Sequence, residues 1–160
     1  LVTETEKQGF VQYEISNFGK PGFFSKHNTS YWQGKPYLGI GPSAHSYNGK
    51  QRSWNVANNI KYIKSIKEGE LPNEIEQLSI KDKFNETTMV SLRTVWGVSL
   101  QQIEREFGKL YKEYLLKNAQ KFIDNKLLVV SNEGEKSQSL KVTQKGKFLC
   151  DGIASELFMI

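Results

Sequence analysis

The segment His27-Asn28-Thr29-Ser30-Tyr31-Trp32 is the densest grouping of chemically capable side chains in this 160-residue sequence. Histidine is the one side chain whose unperturbed pKa lies near neutrality, and its neutral imidazole is a common ligand for metals and for haem iron. A tyrosine and a tryptophan beside it can stack on a flat ring and donate hydrogen bonds at its edge. The same residues admit a plainer role, with His27 bonded to a backbone carbonyl and the aromatics in a core. A second group, Gly39-Ile40-Gly41-Pro42-Ser43-Ala44-His45-Ser46, follows a strand-like run. Its glycines would let a ligand approach the backbone closely, and Ala44 suits the looser form of the dinucleotide fingerprint. That fingerprint needs a helix directly behind it. No helical pattern begins there, so a glycine-rich strand end is the simpler expectation. His45 could shuttle a proton near Ser43 and Ser46, but no G-x-S-x-G elbow supports a hydrolytic triad. Cys150 lies beside Leu149 and Ile153 and reads as a small core residue rather than a nucleophile.

The elements that must position these groups differ between the two parts of the chain. Residues 1–54 hold both histidines, seven of the 13 glycines and ten aromatic residues, so this stretch is too punctuated to be mostly helix. Phe10–Ser16 and Tyr37–Gly41 are expected to be short strands. A loop of about twenty residues between them would carry the His27 segment, and long ordered loops are more often functional than decorative. From Asn55 onward the spacing predicts helices. Val56, Ile60, Ile63 and the Lys67 stem give one apolar stripe, ending near Gly69 and Pro72. A second helix is expected over about 79–94, with Gly97 ending it. Ser99 would cap a third that closes at Gly108. Tyr111, Leu115, Ala119, Phe122 and Ile123 mark a fourth, to about Asn125. Leu127–Val130 and Ser139–Val142 form a hairpin signal around the polar loop 132–136, and Thr143 would cap a last helix carrying Leu149, Ile153 and Leu157. Helix, short helix, longer helix, two-stranded wing and closing helix outline a winged-helix-like module.

Composition narrows the classes further. The single cysteine excludes an internal disulfide, a zinc site of two or more thiolates and an iron–sulfur cluster held by this chain alone. No apolar run approaches the roughly 18–20 residues of a transmembrane segment, and the start Leu1–Lys7 has neither the basic flank nor the apolar core of a leader. A lone thiol and this start favour a reducing, cytoplasmic setting. The absent initiator Met suggests a fragment of a longer protein. The net charge of +5 raises nucleic-acid binding. However, Lys112, Lys117 and Lys121 alternate with Glu113 and Asp124, and the wing loop sets Glu133 and Glu135 against Lys136. Such mixed charge describes a solvated face, so a winged-helix nucleic-acid module stays a minor alternative.

Four motifs in order carry a resemblance. Tyr13-Glu14-Ile15-Ser16-Asn17-Phe18, then Lys20-Pro21-Gly22, then His27-Asn28-x-x-Tyr31-Trp32, then Gly39-Ile40-Gly41-x-x-Ala44-His45-Ser46 resemble the oxygen-independent coproporphyrinogen III oxidase-like proteins, which are radical S-adenosylmethionine (SAM) proteins. The HNxxYW pattern is similar to the haem-chaperone branch of that family. Ser91-Leu92-Arg93-Thr94, Gly97-Val98, Phe107-Gly108 and Val142-Thr143-x-x-Gly146-x-x-Leu149 resemble its C-terminal domain. The resemblance implies an α+β fragment. Residues 1–54 would be the end of a partial (β/α) barrel, and residues 55–160 a mainly helical, winged-helix-like domain. It implies that His27 ligates haem iron, that Asn28, Tyr31 and Trp32 shape that site, and that Gly39, Ile40, Gly41, Ala44 and His45 match a strand end bordering bound SAM. In the oxidases an aliphatic residue stands where His45 does, and a glutamine that contacts a second SAM is replaced here by Thr29 or Ser30. These departures favour haem handling, with delivery to an acceptor protein, over oxidative decarboxylation of coproporphyrinogen. The SAM and its [4Fe–4S] cluster would belong to the full-length parent only, and this chain would be inactive alone.

Overall fold

The computed structural model describes residues 1–132 and 137–160, so the turn of the expected wing, with Glu133, Glu135 and Lys136, lies outside the described residues. The chain divides into two compact units, one formed by residues 1–32 with 80–160 and the other by residues 33–79. The boundary expected at residue 54 falls within a strand of the second unit.

The first unit opens with α1 (Val2–Lys7), β1 (Val11–Glu14), β2 (Asn17–Gly19) and α2 (Lys26–Trp32). The His27 segment is therefore helical, where the sequence suggests a loop. Ser25 starts the helix, its hydroxyl accepting from the Asn28 amide at 3.3 Å and its carbonyl from the Thr29 amide at 2.9 Å. No glycine or proline interrupts the turn that follows. β1 and β2 pair antiparallel around an irregularity between Gln12 and Glu14. This bulge turns both Tyr13 and Glu14 inward, against the alternation of a regular strand.

The rest of this unit follows the expected helices closely. α4 (Ile80–Leu92), the two-residue strand β6 (Val98–Ser99), α5 (Leu100–Phe107) and α6 (Lys109–Asp124) precede the hairpin β7 (Leu128–Asn132) and β8 (Gln138–Val142). Ser99 caps α5, accepting from the Gln102 amide at 3.2 Å. β6 adds itself to the hairpin, giving the order β6-β8-β7, a third strand too short for its own sequence signal. Gly97 makes that junction possible. Its φ is +70°, and a Cβ there would stand 2.5 Å from the Leu140 carbonyl oxygen. The helical stripes meet in one core, with Phe84, Leu92, Ile103, Leu115, Leu140 and Leu157 almost wholly buried. Phe84 anchors it against Tyr111 at 5.0 Å and Phe107 at 5.7 Å between ring centres. The expected last helix does not start at Thr143. The Thr143 hydroxyl caps the turn that comes first, accepting from the Gly146 amide at 3.2 Å while donating to the Lys126 carbonyl at 2.8 Å. A 3-10 turn (Lys147–Leu149) then leads into α7 (Cys150–Glu156).

The second unit is a three-stranded antiparallel sheet, β3 (His45–Tyr47), β4 (Gln51–Asn55) and β5 (Asn73–Gln77), with α3 (Asn59–Lys67) between the last two. α3 forms where its stripe places it, capped by the Asn58 side chain accepting from the Lys61 amide at 2.9 Å. Its isoleucines, however, stay exposed. Tyr37–Gly41 is not a strand. Only Tyr37 bridges, exchanging two hydrogen bonds of 2.9 Å with Tyr47. β4 and β5 were masked in sequence by their polar composition, Gln-Arg-Ser-Trp-Asn and Asn-Glu-Ile-Glu-Gln, which hides any apolar alternation.

Candidate functional site

The YEISNF, HNxxYW and SLRT motifs, up to 80 residues apart, converge in the first unit. β1 docks on the segment after α4. The Ile15 amide donates to the Arg93 carbonyl and the Val95 amide to the Tyr13 carbonyl, both at 3.0 Å. Tyr13 stacks on Phe24 at 4.5 Å, and Phe24 meets Trp96 edge-on at 6.3 Å. This aromatic cluster fixes the chain just before α2.

Glu14 is 1% exposed. A buried carboxylate must be compensated, and this one is surrounded by donors. The Arg93 guanidinium lies 3.3 Å from Oε1, while the Ser16 amide and the Asn17 side-chain amide donate to Oε2 at 2.9 and 2.6 Å. Arg93 also donates through Nη1 to Asp151 at 2.6 Å. Burial pulls its pKa down, but the hydrogen bond and charge of Asp151, with those of Glu14, carry it above the ordinary arginine value. The guanidinium carbon sits 5.8 Å from the Trp32 ring centre, a cation–π contact. Asn17 in turn accepts from the Asn28 side-chain amide at 3.5 Å.

His27 is exposed on α2. Tyr31, one turn later, shares its face and is half-exposed. Tyr31 and Trp32 meet edge-on at 5.1 Å. Among the described residues, the buried Trp32 indole nitrogen and Thr29 hydroxyl have no hydrogen-bond partner. The helix therefore offers an accessible imidazole and a neighbouring phenol ring, side chains that fit a flat ligand with a metal centre. The network behind it had little sequence signal. Glu14 and Arg93 stand in recognisable motifs, but the bulge that buries Glu14 breaks the pattern that would have flagged it.

The group Gly39–His45 lies in the second unit. Here the glycine serves the chain itself. A Cβ on Gly39 would stand 2.1 Å from the His45 carbonyl oxygen, so the two backbones pass in contact. The buried Asn55 side chain donates to the Gly39 and Gly41 carbonyls at 3.3 and 2.8 Å, and the Gly41 amide donates to the Tyr62 hydroxyl at 3.2 Å. Ile40 is 83% exposed, Ala44 half-buried, and His45 is exposed with its ring 6.1 Å from that of Trp54. A strand, β3, follows Ala44, so the helix that a dinucleotide fingerprint requires is not there.

Cys150 is buried, and its thiol is pushed up to about 11 by that burial and by the Asp151 charge, against a smaller opposing effect of Arg93. At pH 8 only about one thiol in a thousand would be ionised. Alkylation by iodoacetamide is accordingly expected to be slow in the native protein and fast in urea, read by mass spectrometry. Equal rates would contradict the burial. The sign also sets a pH trend. The unfolded thiol ionises first, so this residue contributes less stability as pH rises from the ordinary thiol value toward 11. Among the described residues, no helix is long and apolar enough to cross a membrane, and no three His, Cys, Asp or Glu side chains converge as a metal site.

Comparison with known proteins agrees with this architecture. Residues 78–149 match the HemN C-terminal domain. The chain is 32% identical to "Heme chaperone HemW" of Bacillus subtilis, over 93% of its length and 38% of that protein's. It is 34% identical to "Heme chaperone HemW" of Lactococcus lactis, over 92% and 40%. It thus spans about two fifths of the length of these curated relatives. In fold it resembles the coproporphyrinogen III oxidase HemN from Escherichia coli, described as a radical SAM enzyme, with a TM-score of 0.69 at 18% identity, over 99% of this chain and 39% of that one. The matched C-terminal domain and these relatives define the class. The chain belongs to the HemN/HemW-like radical SAM proteins, as a portion of one.

Proposed function

We propose that this chain is the part of a haem chaperone that holds haem, with His27 as the axial ligand to iron. The observation that carries the reading is the exposed imidazole of α2, set one turn from Tyr31 inside the HNxxYW motif. Haem would supply an iron centre for the imidazole and a flat apolar ring for the aromatic side chains. Tyr31 and Trp32 offer aromatic surface to that ring, and Asn28 holds the helix through Asn17. The resemblance to HemW favours delivery of the bound haem to an acceptor protein in the cytoplasm, where a free buried thiol such as Cys150 stays reduced. SAM and the [4Fe–4S] cluster would be held by the longer parent, with Gly39, Ile40, Gly41, Ala44 and His45 bordering SAM there.

The test is a haem titration of the full-length protein, wild type beside His27→Ala. The expected result is loss of the imidazole-ligated absorption spectrum with weaker binding. An unchanged spectrum and affinity would remove His27 as the ligand.

A further inference from the structure

We propose that Arg93 is a positioning residue for the haem-ligating helix, so that the C-terminal domain holds the HNxxYW segment in place. This rests on the haem-binding reading of His27. α2 has seven residues and none is buried, so neither length nor core packing fixes it. What holds it is polar and aromatic, and two routes lead to Arg93. One is direct, with the guanidinium lying over the Trp32 ring at 5.8 Å. The other is a relay in which Arg93 pairs with buried Glu14, Glu14 accepts from Asn17, and Asn17 accepts from Asn28. Asn28 and Trp32 are each next to a residue of the exposed face, His27 and Tyr31 respectively. Arg93 is itself fixed by Asp151 at the start of α7 and by its own backbone, which receives the Ile15 amide. The residue touches no atom of His27. Its role is to set the orientation from which the imidazole meets iron, as outer-shell partners do for metal ligands.

The experiment uses the full-length protein with haem, comparing wild type, His27→Ala, Arg93→Lys and the double variant Arg93→Gln/Glu14→Gln. The double variant removes both charges and leaves neither buried alone. Three quantities are read: haem affinity, the ferric-haem electron paramagnetic resonance signal, and hydrogen exchange across residues 26–32. In the double variant affinity is expected to fall about tenfold, the low end of outer-shell effects. The ferric signal should broaden, and exchange in 26–32 should quicken while α4–α6 stays protected. Arg93→Lys keeps a cation beside Glu14 but has no flat group for Trp32, and it should fall between. Should the double variant not fold, Arg93→Lys alone decides by the same three readings. Wild-type affinity, signal and exchange in the Arg93 variants, with binding lost in His27→Ala, overturn the positioning role alone. Unchanged binding in His27→Ala overturns the haem reading and the positioning role with it.

Discussion

Replacing Arg93 by alanine is expected to destabilise the first unit by about 3 kcal/mol, because it strips the counter-charge from a carboxylate that water cannot reach. Glu14 is 1% exposed, whereas the Arg93 side chain is 21% exposed. The penalty therefore comes from the group left behind, not from the one removed. The Ser16 and Asn17 donors remain and soften the loss, which places it at the low end for a broken buried pair. For a protein of this size that is roughly 6–12 °C in melting temperature, measured by calorimetry. Arg93→Gln/Glu14→Gln should lose much less, since a neutral pair of similar shape leaves no buried charge. If the single and double variants melt together, the ion pair is not what the structure shows it to be.

Gly39→Ala is expected to cost about 3 kcal/mol in the second unit, the upper end for overpacking. The atoms its methyl would strike belong to the backbone of His45, at 2.1, 2.7 and 2.8 Å, and a backbone cannot rotate aside as a side chain can. The crossing must open, and the Asn55 bonds to Gly39 and Gly41 would lengthen with it. Hydrogen exchange should show this as lost protection at Tyr47 and Asn55, whose amides bond Tyr37 and Ala44 carbonyls. Gly41→Ala is the useful contrast, because nothing lies within 4 Å of a Cβ there and only its φ of +105° resists. Retained protection in Gly39→Ala would mean that the two backbones do not pass in contact.

The residues that could be read directly are those whose burial follows a period. α4, α5, α6 and the β7–β8 hairpin carry stripes that match their buried faces, from Phe84 and Leu92 to Leu128 and Leu140. Elsewhere a local signal was overridden. β4 and β5 are held by hydrogen bonds between mostly polar, half-exposed residues, so no apolar alternation marks them. The α2 helix follows a Gly- and Pro-rich approach and looks like its continuation as loop. Glu14 is hidden by the bulge at its own strand. The HNxxYW residues were visible as a motif, but what holds them, Arg93 through Trp32 and Glu14, joins positions that only the tertiary fold brings together.

The convergence of distant segments also orders events as the protein is made. The Arg93 bond to Glu14 closes a separation of 79 residues, and the Lys147 bond to Gln12, at 2.7 Å, closes one of 135. A chain grows from its amino end at about 5–20 residues per second, so Lys147 is added on the order of ten seconds after Trp32. During that interval residues 1–32 exist without the partners that secure them. The helix bearing His27 is synthesised well before the residues that fasten it, and it acquires its fixed setting only once Arg93 and the segment up to Lys147 have been added.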